Sequence, residues 1–261
     1  MKLAVHGATG RMGRAVLRLA FEAEQIQVVG GACAAADPAE GRDLGELAGV
    51  GAQGVVVTPD VGSSILGADV VIDFSVAAAV PALLAYAERQ GVAVVSGTTN
   101  LDATGHQALA RAARKVPVVW APNMSPGVQV LCELLSSALK KLGPEYDVEI
   151  VELHHRRKVD APSGTARRLA NTAREVRREL REVHGREGEV GARQPDEMGV
   201  FGVRGGDVVG DHTVYLLGPG ERIELTHRAA TRDLFAHGAL RAARFAISQD
   251  PGLYDMGHVL A

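Results

Sequence analysis

The densest chemistry in the chain lies between Glu152 and Thr165, which reads Glu-Leu-His-His-Arg-Arg-Lys-Val-Asp-Ala-Pro-Ser-Gly-Thr. Consecutive cationic or titratable side chains, His154 to Lys158, precede a Pro162-Ser163-Gly164-Thr165 sequence that opens a long charged helical pattern. The first turn of a helix presents unpaired N–H groups, and with hydroxyls and cations beside them they suit carboxylates. The plainer alternative for such a run is a solvated charged loop. A metal is rejected, because adjacent histidines lack the i, i+4 spacing of a helical zinc site and no cysteine or carboxylate cluster completes one.

A second constellation stands at the N-terminus. The strand-like run Lys2 to His6 passes directly into Gly7-Ala8-Thr9-Gly10-Arg11-Met12-Gly13, and a helical pattern with Val16, Leu17 and Ala20 follows. Strand, glycine loop and helix in that order are what dinucleotide binding needs: glycines let the backbone turn tightly against a pyrophosphate, whose charge meets the helix N-terminus. The spacing is GxxGxxG, with Thr9 where the strict fingerprint has its middle glycine, and a ligand-free βα turn is the alternative. The carboxylate expected about 20 residues on, to bind the adenine ribose, is absent from the strand end Gly31-Ala32-Cys33-Ala34-Ala35-Ala36-Asp37. Asp37 either reaches the ribose or only forms a turn. With neither a carboxylate nor an arginine at Cys33–Ala36, dual or weakly biased use of NADH and NADPH is expected. Gly97-Thr98-Thr99 and Ala121-Pro122-Asn123-Met124 follow further apolar runs and would flank a nicotinamide, or serve as ordinary βα loops.

The elements that must position these groups follow from the hydrophobic pattern. Strand-length apolar runs at Leu3–Val5, Val28–Val29, Val55–Val57, Val70–Phe74, Val92–Val95 and Val116–Trp120 alternate with helical segments. This is the grammar of a parallel sheet buried on both faces, so an α/β fold with an N-terminal Rossmann, doubly wound sheet is predicted. After Pro126 come a helix of about 15 residues, a strand Val148–Leu153, a helix from Thr165 to about Val183, and an exposed, aperiodic loop Gly185–Glu197. Short strands at Val200–Val203, Val208–Val209, His212–Leu217 and Arg222–His227 then predict a second α+β domain on a mixed sheet. The last helix, Asp233–Ser248, is expected to return to the first domain, giving 1–125 plus 233–261 for the dinucleotide and 126–232 for substrate and oligomerisation. A hydrophobic fraction of 46% and a net charge of −3 suit a globular enzyme and argue against nucleic-acid binding through the overall field. Two distant cysteines, no export leader and no apolar stretch of about 18 residues point to a cytoplasmic protein without a membrane span.

Taken together, the Gly7–Gly13 loop, Gly97-Thr98-Thr99, Ala121–Met124 and above all Glu152–Ala166 resemble the 4-hydroxy-tetrahydrodipicolinate reductase family of diaminopimelate and lysine biosynthesis, over almost the whole chain. The resemblance implies a reductase using NADH or NADPH, a small cyclic imine dicarboxylate as substrate, reduction of 4-hydroxy-tetrahydrodipicolinate to tetrahydrodipicolinate, and a homotetramer. It places the family's proton donor at His154, its second, substrate-binding histidine at His155, its catalytic lysine at Lys158, and the substrate-carboxylate site at Gly164 and Thr165, with Ser163 beside them. The acidic ribose-binding position falls near Cys33, a departure from the family pattern. Either His154 or Lys158 can protonate the reduced substrate. A homoserine- or aspartate-type dehydrogenase would lack the His-His-Arg-Arg-Lys run, and a dinucleotide-binding redox sensor would not need the polar second site.

Overall fold

A computed structural model describes all 261 residues, which divide into two compact units, Met1–Ser125 with Arg232–Ala261, and Pro126–Thr231. In the first unit β1 (Lys2–His6), β2 (Gln27–Ala32), β3 (Val57–Thr58), β4 (Val70–Asp73), β5 (Ala93–Ser96) and β6 (Pro117–Trp120) are all parallel. Helices α1 (Arg11–Phe21), α2 (Leu44–Ala48), α3 (Val61–Ser64), α4 (Val80–Gln90) and α5 (Ala103–Ala112) connect them. Their apolar runs are buried on both faces, so two cores form: Leu3, Val5 and Ile72 pack with α1, whereas Ala4, Val71 and Val94 pack with α4 and α5. The end of the chain completes this unit. Helix α8 (Asp233–Ala246) buries Ala236, Ala239 and Leu240 in the first core, β12 (Gly252–Tyr254) extends the sheet beside β6, and α9 (Met256–Leu260) closes it.

The strand order is β12-β6-β5-β4-β1-β2-β3, so the winding reverses at β1, which has β2 on one side and β4 on the other. Open parallel sheets take ligands outside the carboxyl ends of their strands at that reversal, where the loops after β1 and β4 diverge.

The second unit holds α6 (Pro126–Leu142), β7 (Asp147–His154), α7 (Gly164–Val176), β8 (Arg181–Val183), β9 (Glu197–Arg204), β10 (Gly210–Gly218) and β11 (Glu221–Ala229). Its sheet runs β11-β10-β7-β9-β8, and it is mixed because β7 is antiparallel to β10 but parallel to β9. Both helices cover one face, where Leu131, Leu135 and Leu169 meet Val148, Ile150, Val200 and Val214. Side chains along a strand alternate between faces. Glu152 and His154 therefore share the helix-covered face with Val148 and Ile150, while Val151 and Leu153 point the other way.

The structure departs from the sequence expectation in two places here. The helix expected to reach Val183 ends at Val176, because Arg177 leaves helical geometry, turns its guanidinium to the Tyr146 carbonyl, and is followed by the buried Leu180 and strand β8. Val208–Val209 forms no strand; the Val208 carbonyl instead accepts from the His155 N–H at 2.8 Å. The loop after β8 is exposed and aperiodic, as expected from sequence, and Arg186 and Arg193 anchor it by ion-pairing with Glu149.

Candidate active site

In the first unit the glycine loop is shaped by close approach. Gly7 has φ +76°, and a Cβ there would lie 2.7 Å from the Phe74 carbonyl; one on Gly13 would lie 2.2 Å from the Gly7 carbonyl. Helix α1 starts at Arg11, and its N-cap, Gly10, supplies no side chain to the first turn. Its N–H groups are thus left without a side-chain cap, the arrangement that accepts a phosphate. A cavity of about 300 Å³ opens at the same end of the sheet, lined by Arg11, Met12, Phe74, Gly97, Pro122, Asn123 and Met124, with Arg232 and Phe235 from the start of α8. These residues fit a dinucleotide: glycines for the pyrophosphate, a bare helix end, and an aromatic-walled recess at the carboxyl ends of the strands. Phe74, Arg232 and Phe235 were not singled out from sequence. Phe74 was counted only as the end of a strand, and Arg232 and Phe235 arrive from a segment more than 100 residues from the loops they join.

Not every residue marked in the sequence faces that recess. The methyl of Ala8 and the Ala121 side chain belong to the core. Cys33 turns inward as well; burial, and the nearby carboxylates of Asp37 and Glu40, push its thiol pKa up, so it offers no charge to a ribose. Thr98 is buried and fully engaged, its hydroxyl donating to Asp73 at 2.8 Å and its carbonyl accepting from the Trp120 indole at 3.1 Å. The hydroxyl exposed in that loop belongs to Thr99. Asp73, completely buried at the end of β4, also accepts from His6 Nδ1 at 2.9 Å, Ser96 Oγ at 2.6 Å and the Ser75 N–H at 3.1 Å. A buried carboxylate is tolerated only when its acceptor sites are filled. Here the filling ties the exits of β1, β4 and β5 together beneath the loops that line the recess.

In the second unit the centre is Glu152, which is fully buried. Its carboxylate receives the forked guanidinium of Arg204 through two hydrogen bonds of 2.8 Å, the Ser163 N–H at 3.1 Å, and Nδ1 of His154 at 2.5 Å. Burial alone would raise its pKa, but the hydrogen bonds and charges of His154 and Arg204 prevail and bring it down to about 2. Arg204 also donates to the Asp160 carbonyl at 2.7 Å, so one ion pair fastens the far end of the His155–Pro162 loop, at Asp160 and Ser163. Within that loop Lys158 Nζ lies 2.8 and 2.9 Å from the two carboxylate oxygens of Asp160, and Val159 at the tip is 99% exposed. With Glu152 on Nδ1, the free nitrogen of His154 is Nε2.

Ser163 corrects the sequence reading in detail. Its hydroxyl is buried, caps α7 by accepting from the Ala166 N–H at 3.1 Å, and meets His212 Nε2 at 2.9 Å, so the hydroxyl is turned inward and engaged within the protein. Gly164 beside it is exposed, and a Cβ there would touch nothing within 4 Å. Glu152 has no role evident from sequence, and neither Arg204 nor His212 stands out there. Glu152 carried a signal, being two residues from His154 and so on the same strand face; Arg204 and His212 carried none, because sheet pairing alone brings them in.

The His212 ring stands edge-on to His154, with centroids 5.1 Å apart, and is nearly inaccessible. Burial, then the charge of His154, push its pKa from 6.5 down to about 3. Between those values the unfolded chain binds a proton that the folded chain refuses, so stability falls as pH drops below 6.5. Glu152 acts in the same direction between 4.5 and about 2, where the unfolded carboxyl is protonated and the folded one is not. Each group contributes a slope of at most about 1.4 kcal/mol per pH unit. Denaturation midpoints measured from pH 7 to pH 4 are expected to fall continuously, and His212→Gln should flatten that fall; an unchanged slope in the variant would mean His212 is not the group responsible.

A parallel sheet with a glycine loop at its reversal, joined to a unit whose polar centre is built from histidines, a lysine and an ion pair, defines a nucleotide-dependent oxidoreductase of the two-domain type. Residues 1–124 match the dihydrodipicolinate reductase N-terminus family and residues 127–260 the dihydrodipicolinate reductase C-terminus family. The chain is 48% identical to the 4-hydroxy-tetrahydrodipicolinate reductase of Magnetococcus marinus, covering 100% of this chain and 98% of the relative. It is 46% identical to that of Myxococcus xanthus, covering 100% and 97%. A solved structure of dipicolinate-bound dihydrodipicolinate reductase from Paenisporosarcina sp. TG-14 superposes with a TM-score of 0.79 at 25% identity, covering 100% of this chain and 99% of that one. The chain belongs to the dihydrodipicolinate reductase family. At 14% identity and a TM-score of 0.61, an amine dehydrogenase from Mycobacterium smegmatis shares the fold alone. No helix is long and apolar enough to cross a membrane.

Proposed function

We infer that this chain reduces 4-hydroxy-tetrahydrodipicolinate to tetrahydrodipicolinate with NADH or NADPH, in the biosynthesis of diaminopimelate and lysine. The observation that carries the reading is the Glu152–Arg204 pair, which holds His154, Lys158 and the open start of α7 in one segment beside a relative's known ability to bind dipicolinate. When bound, the reduced nicotinamide supplies a hydride. The glycine loop and the N-terminus of α1 hold its pyrophosphate, and Phe74, Gly97 and Pro122–Met124 line the recess for its ring. His155, Lys158 and the N–H groups at Gly164–Thr165 bind the substrate carboxylates, which fixes the ring for attack and contributes mainly positioning and electrostatics. The 4-hydroxyl first leaves as water to give the conjugated cyclic imine; hydride addition to that ring leaves an enamine, which must gain a proton at carbon, and His154 Nε2 or the Lys158 ammonium gives it. Arg204 and Glu152 keep the donor in place. Monitoring cofactor oxidation with and without the hydroxylated dicarboxylate tests the reading, and oxidation that does not depend on the dicarboxylate would refute it.

The face of the mixed sheet away from α6 and α7 supports self-association into a homotetramer. It carries Val151, Leu153, Phe201, Val203, Tyr215 and Leu217, of which Leu153 and Val203 are exposed and the rest half-buried, and no helix covers it within the chain. Exposed apolar side chains grouped on one sheet face, here bordered by the Glu149–Arg186–Arg193 ion pairs, mark an interface. Val151→Glu combined with Leu217→Glu is expected to shift the mass measured by light scattering to a smaller species, and an unchanged mass would place the interface elsewhere. Both thiols, Cys33 and Cys132, are free and buried, as suits a reducing cytoplasm.

A further inference from the structure

The exit of β2 is where a dinucleotide-binding sheet places the residue that reads the adenine ribose. Here that exit is uncharged: Cys33 faces the core and Ala34 to Ala36 follow. The next residues behave differently. Ala36 sits at φ +59°, a left-handed conformation that side chains other than glycine rarely adopt. Asp37 then accepts from the Ala39 N–H at 2.9 Å through Oδ1 and from the Thr9 hydroxyl at 2.8 Å through Oδ2. The bond to Ala39 is all that a turn-forming aspartate needs. The bond to Thr9 spans 28 residues and fastens the carboxylate to the glycine loop, at the position where the strict fingerprint has its middle glycine.

We propose that Asp37 binds the ribose diol of the adenosine half of the cofactor and makes this chain prefer NADH to NADPH, an inference that rests on the nicotinamide-dependent reading above. With pyrophosphate over the start of α1, the adenosine ribose lies between the glycine loop and the end of β2, which is where the Thr9 contact holds this carboxylate. Each oxygen has accepted one bond from the protein, and a carboxylate has about four acceptor sites, so a pair of ribose hydroxyls can still be received. The group remains ionised, since the Ala39 N–H, then Thr9, and more weakly Arg14, hold its pKa below the usual range. A 2′-phosphate would instead meet like charge from Asp37, with Glu40 on the same loop. Arg14, whose Nε donates to the Thr9 carbonyl at 2.9 Å, acts on Asp37 only weakly. A preference for NADH would differ from the weakly biased cofactor use expected from sequence.

Calorimetric titration of the full-length protein with NADH and with NADPH, for the wild type and for Asp37→Asn, tests the proposal. Asparagine retains an acceptor for Ala39 and removes the charge. The wild type is expected to bind NADH at least about tenfold more tightly than NADPH, and Asp37→Asn to lose that ratio by weakening NADH while strengthening NADPH. Melting temperatures without cofactor report folding, and Asp37→Ser carries the same comparison if the asparagine variant melts early. Equal affinities in the wild type, a preference for NADPH, or a variant that changes both affinities alike would overturn the role of Asp37 and leave the nicotinamide reading standing. Binding of neither cofactor to the wild type would overturn both.

Discussion

Lys158→Ala is expected to lower kcat/KM by more than ~10³ while leaving the affinity for reduced cofactor essentially unchanged. Loss of a charge-assisted contact to a substrate carboxylate accounts for roughly 1.5–3 kcal/mol of this. Loss of support for enamine protonation adds ~10² to 10⁴ in rate. In the free protein the ammonium is already held, between both carboxylate oxygens of Asp160, on a loop fastened at its base by Arg204. On the proposed reading, the substrate would therefore meet a cation positioned in advance. Arg157, one residue earlier and exposed, is the internal control for a diffuse attraction of the anionic substrate. Steady-state kinetics of Lys158→Ala and Arg157→Ala decide the matter: equal losses of less than about tenfold would show that the basic run acts only as a field.

The second large effect is expected at Glu152. Removing one member of a buried ion pair costs about 3–5 kcal/mol, because the remaining charge loses its compensation. The depression of the carboxyl from 4.5 to about 2 corresponds to roughly 3 kcal/mol, in the same range. Glu152→Ala strands Arg204, frees His154 Nδ1 and leaves the Ser163 N–H without its acceptor, so stability and turnover should both fall. Glu152→Gln keeps the shape and part of the hydrogen bonding and should retain more stability, yet still lose turnover, since His154 is no longer held by a carboxylate. Urea denaturation with kinetics on both variants checks this. A glutamine variant as active as the wild type would show that Glu152 has no part in positioning His154.

How much of this was legible in one dimension depended on the range of the interactions. The alternation of buried strands and helices in the first 120 or so residues is a local pattern, enforced by burial on both faces of a parallel sheet, and so are the glycine loop and the cap sequence at Ser163. From these the sequence by itself determined the Rossmann half, the mixed-sheet half, the polar segment His154–Thr165 and the family resemblance. Side-chain direction was another matter. Whether Thr98, Cys33 and Ser163 face a ligand or the interior depends on partners far along the chain, Asp73, the core and His212 among them, and all three are turned inward.

What only the tertiary structure decided is the set of groups that complete each site from a distance. Arg204 reaches Glu152 across 52 residues because β9 pairs in parallel with β7, register placing His154 opposite Arg204. His212 comes to Ser163 because β10 pairs with β7 on its other side. Thr9 meets Asp37 where the loops after β1 and β2 converge beside one another. No periodicity encodes such contacts, since each is fixed by sheet register and by the need to satisfy a buried or half-buried charge, conditions that exist only once the chain is folded.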